Sequence, residues 1–165
     1  MIEAEFISKF DDADAVDMSD TTTNITEENI KELHILADRY PQAQSAIIPM
    51  LHLVQSIDGK VSGEGVRHIA RILDLPEAVV LGVVTFYTMF HKEAVGKHLI
   101  GVCTTSLCAV MGGDMVYETV RKHLGLDGEG TTEDGAFTLE RVECNAACDF
   151  APVMMLNWEF MDNMT

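Results

Sequence analysis

Residues 97–108 read KHLIGVCTTSLC and residues 137–148 read FTLERVECNAAC. Each stretch is a short apolar, β-prone run that ends in a pair of cysteines, with four residues between them in CTTSLC and three in CNAAC. The spacing predicts strands over 97–102 and 137–142. Each pair then follows a strand, and both lie on loops at one end of one sheet. Loop backbone leaves N–H groups free to point at an anionic ligand. Between the two stretches, residues 114–124 predict a helix stopped by Gly125, and LDGEGTTEDG at 126–135 is loop chemistry. Residues 152–158, with Val153, Met154, Met155 and Leu156, predict a further, well-buried strand. Strand, helix and paired strands make an α+β layer structure over residues 96–165.

Upstream, over residues 25–95, the periodicity changes to that of helices. Thr26 is a candidate N-cap, with Glu27 and Glu28 in the positive first turn and Ile25 and Ile30 spaced as a hydrophobic staple. Ile30, Leu33, Leu36, Ala37 and Tyr40 make one apolar stripe, which Pro41 ends. An apolar segment over 46–57 carries Pro49 near its start, where a missing N–H matters least, and ends at Asp58 and Gly59. Ser62 can cap a third helix with Val66, Ile69, Ala70 and Leu73 on its inner face, and Pro76 fits the first turn of a fourth. Four short helices predict a small helical bundle. It carries no chemistry of its own, and docking is the use expected of it. Residues 1–24 hold many acids and read as an acidic, flexible tail.

Composition narrows the function. The chain has 165 residues, 47% of them apolar, enough for one full core or two small ones. Its 27 acidic and 11 basic side chains give a net charge of −16, which argues against nucleic acid and against an anionic membrane surface. No stretch approaches the roughly 20 apolar residues of a membrane helix, and the N-terminal residues are too acidic for an export signal. A reducing compartment is therefore expected, where four cysteines point to metal or redox chemistry rather than to disulfides.

Three kinds of site suit Cys103, Cys108, Cys144 and Cys148. A [2Fe-2S] cluster takes four thiolates, two per iron, and two separated pairs supply that. Structural zinc also takes four thiolates from closely spaced pairs and would make the protein a zinc-stabilised interaction module. Thiol–disulfide exchange wants two residues between the sulfurs, which neither pair has. Spacing alone leaves the cluster and zinc both open. Ala146 and Ala147 keep bulk away from the second pair, so backbone amides can approach sulfur there. The six histidines, at 34, 52, 68, 91, 98 and 123, are scattered, and four cysteines make a mixed ligand set with His98 or His123 unnecessary. The run Met111, Gly112, Gly113, Asp114 lacks a full phosphate-binding pattern and reads as a helix start close to the first pair. The aromatic string Phe86, Tyr87 and Phe90 reads as core.

Four blocks in order, YPQAQSAIIPMLHLVQ from Tyr40, GVVTFYTMF from Gly82, VCTTSLC and VECNAACDFAPV from Val142, resemble one family. This is the 24 kDa or E subunit of NADH-quinone oxidoreductase, respiratory complex I, a thioredoxin-like [2Fe-2S] ferredoxin. The resemblance implies a helical N-terminal region followed by a thioredoxin-like domain, with one [2Fe-2S] cluster on Cys103, Cys108, Cys144 and Cys148. It implies single-electron exchange with the FMN of a partner flavoprotein subunit that oxidises NADH. Other peripheral-arm subunits are the further partners it implies. FMN and NADH then belong to that partner, and this chain has no complete active site alone. Similar subunits serve NAD-linked hydrogenases and formate dehydrogenases. A bacterial reading places the chain in the cytoplasm, peripheral to the inner face of the plasma membrane. The family's second pair commonly reads Cys-Leu-Gly-Ala-Cys-Gly, whereas Asn145, Ala146 and Asp149 stand here. An alanine at 146 implies either an ordinary backbone angle or tolerated strain.

Overall fold

The computed structural model describes residues 15–165. The chain divides into two units, one ending at Ala94 and the other spanning Val95–Thr165.

Among its described residues the first unit holds four α-helices, α1 (Glu27–Ala37), α2 (Ile47–Asp58), α3 (Gly63–Leu73) and α4 (Glu77–Phe86). Their ends follow the local chemistry. The Thr26 hydroxyl accepts the Asn29 N–H, and the Asn29 side chain accepts the Thr26 N–H at 2.9 Å, a reciprocal cap. Ser62 caps α3 through the Gly65 N–H at 3.1 Å, and Val66, Ile69, Ala70 and Leu73 are buried as their spacing predicts. Gly59, at φ +73°, ends α2 in the left-handed region that glycine tolerates. Leu33, Met50, Leu51, Val54 and Val80 form the centre of the core. The stripe on α1 is shorter than expected: the helix stops three residues before Tyr40, which is 39% exposed.

Part of the expected acidic tail, residues 1–14, lies outside the described residues. The rest, residues 15–24, is fastened to the helical unit. Val16 is buried in its core. Lys60 meets Asp20 at 3.0 Å, and Arg67 donates to the Met18 carbonyl. Asp58 accepts the Asn24 N–H at 2.7 Å and the Thr23 and Ser62 hydroxyls at 2.9 and 2.5 Å. The acids that suggest a solvated tail are here hydrogen-bond acceptors with fixed partners.

The second unit runs β1 (His98–Cys103), α5 (Ser106–Val110), α6 (Gly113–Leu124), β2 (Gly130–Thr131), β3 (Phe137–Val142), β4 (Met154–Leu156) and β5 (Glu159–Met161). The sheet order is β2-β3-β1-β4-β5, with β1 and β3 parallel and the other pairs antiparallel. Helix α6 makes the crossover between the parallel strands. Its Tyr117, with Val116, Val120 and Leu124, packs on Ile100, Val102 and Leu139 from one face of the sheet. The architecture is α+β, as expected, with three local differences. Helix α5 arises within CTTSLC, and the short strand β2 forms inside the predicted loop 126–135. The final predicted strand shortens to β4, whose residues are only half-buried, before a turn leads into β5. That turn places Asn157 and Trp158 at φ +49° and +72°, the geometry of a tight hairpin. Trp158 in a left-handed conformation gives no sequence signal.

Glu140 alternates with Leu139 and so lies on the sheet face away from α6. Burial, with the Glu129 carboxylate nearby, pushes its carboxyl from 4.5 up to about 7. At pH below 4.5 the group is protonated whether the chain is folded or unfolded. As the pH rises towards 7 the unfolded chain ionises first, so stability falls over that window and stays lower above it. Glu140→Gln removes this loss. Thermal denaturation is expected to show the variant melting above the parent at about pH 8, and the two melting together at about pH 4. An equal shift at both would exclude burial of the charge as the cause.

Candidate metal centre

The parallel register aligns Cys103, the last residue of β1, with Val142, the last of β3. Both strands therefore release their cysteine loops at the same edge of the sheet. Cys103 is held by its N–H, which donates to the Val153 carbonyl at 3.1 Å. Cys108 lies in α5, and both residues of this first pair are buried. The start of α6 presses on the same backbone. A Cβ at Gly113 would stand 2.6 Å from the Cys103 carbonyl oxygen and 2.9 Å from that of Cys108, so glycine is required there. Cys144 and Cys148 follow β3, Cys148 opening a 3-10 turn to Phe150, and both are exposed.

All four thiols are free of disulfides. Cys103 and Cys108 influence one another's protonation, as do Cys144 and Cys148. The two pairs interact electrostatically through Cys148, Cys103 and Cys108. Among the described residues no three His, Cys, Asp or Glu side chains gather tightly enough to hold one metal ion. Along the chain the cysteines fall into two pairs, and a binuclear cluster takes two thiolates per iron.

The immediate surroundings suit sulfur that carries negative charge. Burial is the largest influence on Cys103 and works upward. It is outweighed by hydrogen bonds from the Thr105 hydroxyl and N–H, the Asn145 N–H and Cys108, which hold the thiol below its ordinary range. The Thr105 hydroxyl lies 3.3 Å from its sulfur. Burial pushes Cys108 up, although the Val153 N–H points at its sulfur. The neighbouring Cys144 pushes Cys148 up, with a smaller contribution from Asp149. The Ala146 N–H meets the Cys144 sulfur at 3.4 Å. Backbone N–H groups of Thr105, Asn145 and Val153 thus favour charge on the first pair, and that of Ala146 meets Cys144.

Neither His98 nor His123 is drawn to a cysteine pair. His98 sits at the opposite end of β1 from Cys103 and pairs with Asn157 at 3.2 Å, and His123 lies in the last turn of α6, away from its cysteine-facing start. Sequence reasoning missed Thr105 and Asn145, whose role depends on how the loops fold back. Gly113 was legible only as a helix start. Of the two possibilities for Ala146 the structure has the strained one: φ is +54°, in the left-handed region.

Residues 33–165 match the family model of the thioredoxin-like [2Fe-2S] ferredoxins. The E subunit of the NADH-quinone oxidoreductase of Mycobacterium bovis is 51% identical over 127 residues, 77% of this chain and 50% of that protein. The chain thus spans about half the length of its mycobacterial relatives. The corresponding protein of Rickettsia conorii is 36% identical over 90% of this chain and 92% of its own length. NADH dehydrogenase [ubiquinone] flavoprotein 2 of Dictyostelium discoideum is 35% identical over 88% and 60%. Among solved structures, an NAD+-reducing [NiFe]-hydrogenase covers 72% of this chain and 20% of its own at a TM-score of 0.62 and 15% identity, a likeness of fold.

Ala146→Gly removes the Cβ penalty of about 1–2 kcal/mol and adds unfolded-chain freedom worth somewhat less. The expected result in chemical denaturation is a net gain on the order of 0.5 kcal/mol. A loss of stability would show that the angle is unstrained.

Proposed function

The chain belongs to the thioredoxin-like [2Fe-2S] ferredoxin family, and from that membership we propose that it holds one [2Fe-2S] cluster on Cys103, Cys108, Cys144 and Cys148 and serves as an electron-transfer subunit of an NADH-quinone oxidoreductase. The observation that supports this reading is that β1 and β3, in parallel register, release both cysteine loops, with four free thiols, at the same end of the sheet. A bound cluster takes up one electron and returns it with no bond made or broken in the protein. On this reading the electron comes from the FMN of a partner flavoprotein subunit that has oxidised NADH. The chain supplies a ligand set and an electrostatic setting, and no complete active site.

Its own residues divide that task. Buried Cys103 and Cys108 keep water from the inner side of the site, and backbone N–H groups stabilise charge on sulfur. Exposed Cys144 and Cys148 form the edge that a redox partner can approach. Apolar side chains near that edge support docking: Leu107 and Val110 on α5, Met115 in the first turn of α6, and Phe150 beside Cys148 are all exposed. Among the described residues no helix is long and apolar enough to cross a membrane. The proposed place is the cytoplasmic face of the plasma membrane, within the peripheral arm of a membrane-bound complex. The names of the relatives favour quinone reductase over hydrogenase or formate dehydrogenase as that complex.

Nearby charge sets how readily such a site accepts an electron. Glu143 and Asp149 flank the second pair, and no Lys or Arg follows Arg141 in the chain. Arg141 itself is engaged, 2.6 Å from Asp114 and 3.9 Å above the Tyr117 ring. A low midpoint potential follows.

Anaerobically isolated protein is expected to contain two irons and two acid-labile sulfides per chain and to be reddish brown. Colourless protein holding only zinc would overturn the assignment. In the loaded protein Asp149→Asn should raise the midpoint potential in a redox titration, because a negative charge beside the site is lost; an unchanged or lower value would count against this electrostatic account.

A further inference from the structure

Asn145 stands where the resembling sequences commonly carry leucine, between the exposed second pair and the buried first. Its place in the chain, directly after Cys144, sets it at the site, and its main-chain N–H favours charge on the Cys103 sulfur. The residue is half-buried, yet its Nδ2 atom is sealed from solvent and meets no acceptor in the protein. A buried amide left without a partner costs about 1–3 kcal/mol. Native proteins rarely carry such a group unless something absent from the chain itself completes it. Leucine would fill similar space without this penalty, so the amide is not explained by packing.

We infer that the Asn145 side chain is a second-sphere hydrogen-bond donor whose Nδ2 amide bonds a sulfur of the cluster or of its thiolates. This rests on the cluster reading above. A donor to sulfur stabilises the reduced, more anionic form more than the oxidised one, and so raises the midpoint potential. Asn145 thereby opposes Glu143 and Asp149, the acids on either side of it. It is a positioning and tuning residue and makes no bond to iron.

The test uses the full chain loaded with its cluster. Asn145→Leu is expected to keep two irons and two sulfides and to lower the midpoint potential. At a fixed applied potential its reduced-to-oxidised ratio should fall about three- to tenfold, tenfold being 59 mV for one electron. Asn145→Asp, nearly the same shape, should lower the ratio further, since it removes the donor and adds a charge. A loaded Asn145→Leu protein with an unchanged or raised potential overturns the inference. Should neither variant keep its cluster, the parent protein decides. Labelled with nitrogen-15 in its asparagine side-chain amides and reduced, it should show a weak nitrogen coupling in pulsed paramagnetic resonance, and absence of that coupling overturns the inference as well. A parent chain that binds no iron and sulfide fails earlier and differently, because it removes the cluster reading itself.

Discussion

The parallel pairing of β1 with β3, in the register that sets Cys103 beside Val142, is the constraint on which the site depends. Side chains alternate along a strand, so a slip of one residue would turn Leu139 away from α6 and move the Cys144 loop relative to Cys103. Packing holds the register: Ile100, Val102 and Leu139 are buried against Tyr117, and burying each aliphatic side chain is worth about 1.5–3 kcal/mol. Apolar contacts made along the strands therefore position thiols beyond their ends. Gly113 closes the arrangement, letting α6 rest directly on the backbone of the first cysteine pair.

Gathering four thiols has an electrostatic cost. Burial at Cys108 and the neighbouring Cys144 at Cys148 make both hold their protons more firmly than a free cysteine does. The chain offsets part of this with N–H groups from Thr105, Asn145, Ala146 and Val153. These come from separate loops of backbone, so the cradle exists only after the sheet has formed. Metal binding must displace the remaining thiol protons, which couples loading to deprotonation.

Much of this was legible in the sequence. Period-two runs ending in cysteine located β1 and β3, and Ser62, Gly59 and Gly125 marked helix ends through the chemistry of caps. Other features lay beyond the reach of local patterns. Helix α5 is a single short helical stretch in a loop that the first cysteine pair spans. Strand β2 exists because Gly130 and Thr131 meet β3, where the Thr131 and Thr138 hydroxyls lie 2.7 Å apart. The positive φ of Ala146 and Trp158 opposes residue preference and is imposed by surrounding contacts. Composition misled at residues 15–24, where counting acids overlooked that Asp20 has a partner in Lys60 and that Thr23 and Asn24 bond Asp58.

That segment bears on where the protein can be cut. A shortened version beginning at the first helix would look complete by secondary structure. It would nevertheless strip Asp58 of two of its three donors, leave Lys60 without Asp20, and open the hollow that Val16 fills. The functional boundary of the helical unit lies ahead of its first helix, and a fragment designed to fold alone should start upstream of Val16.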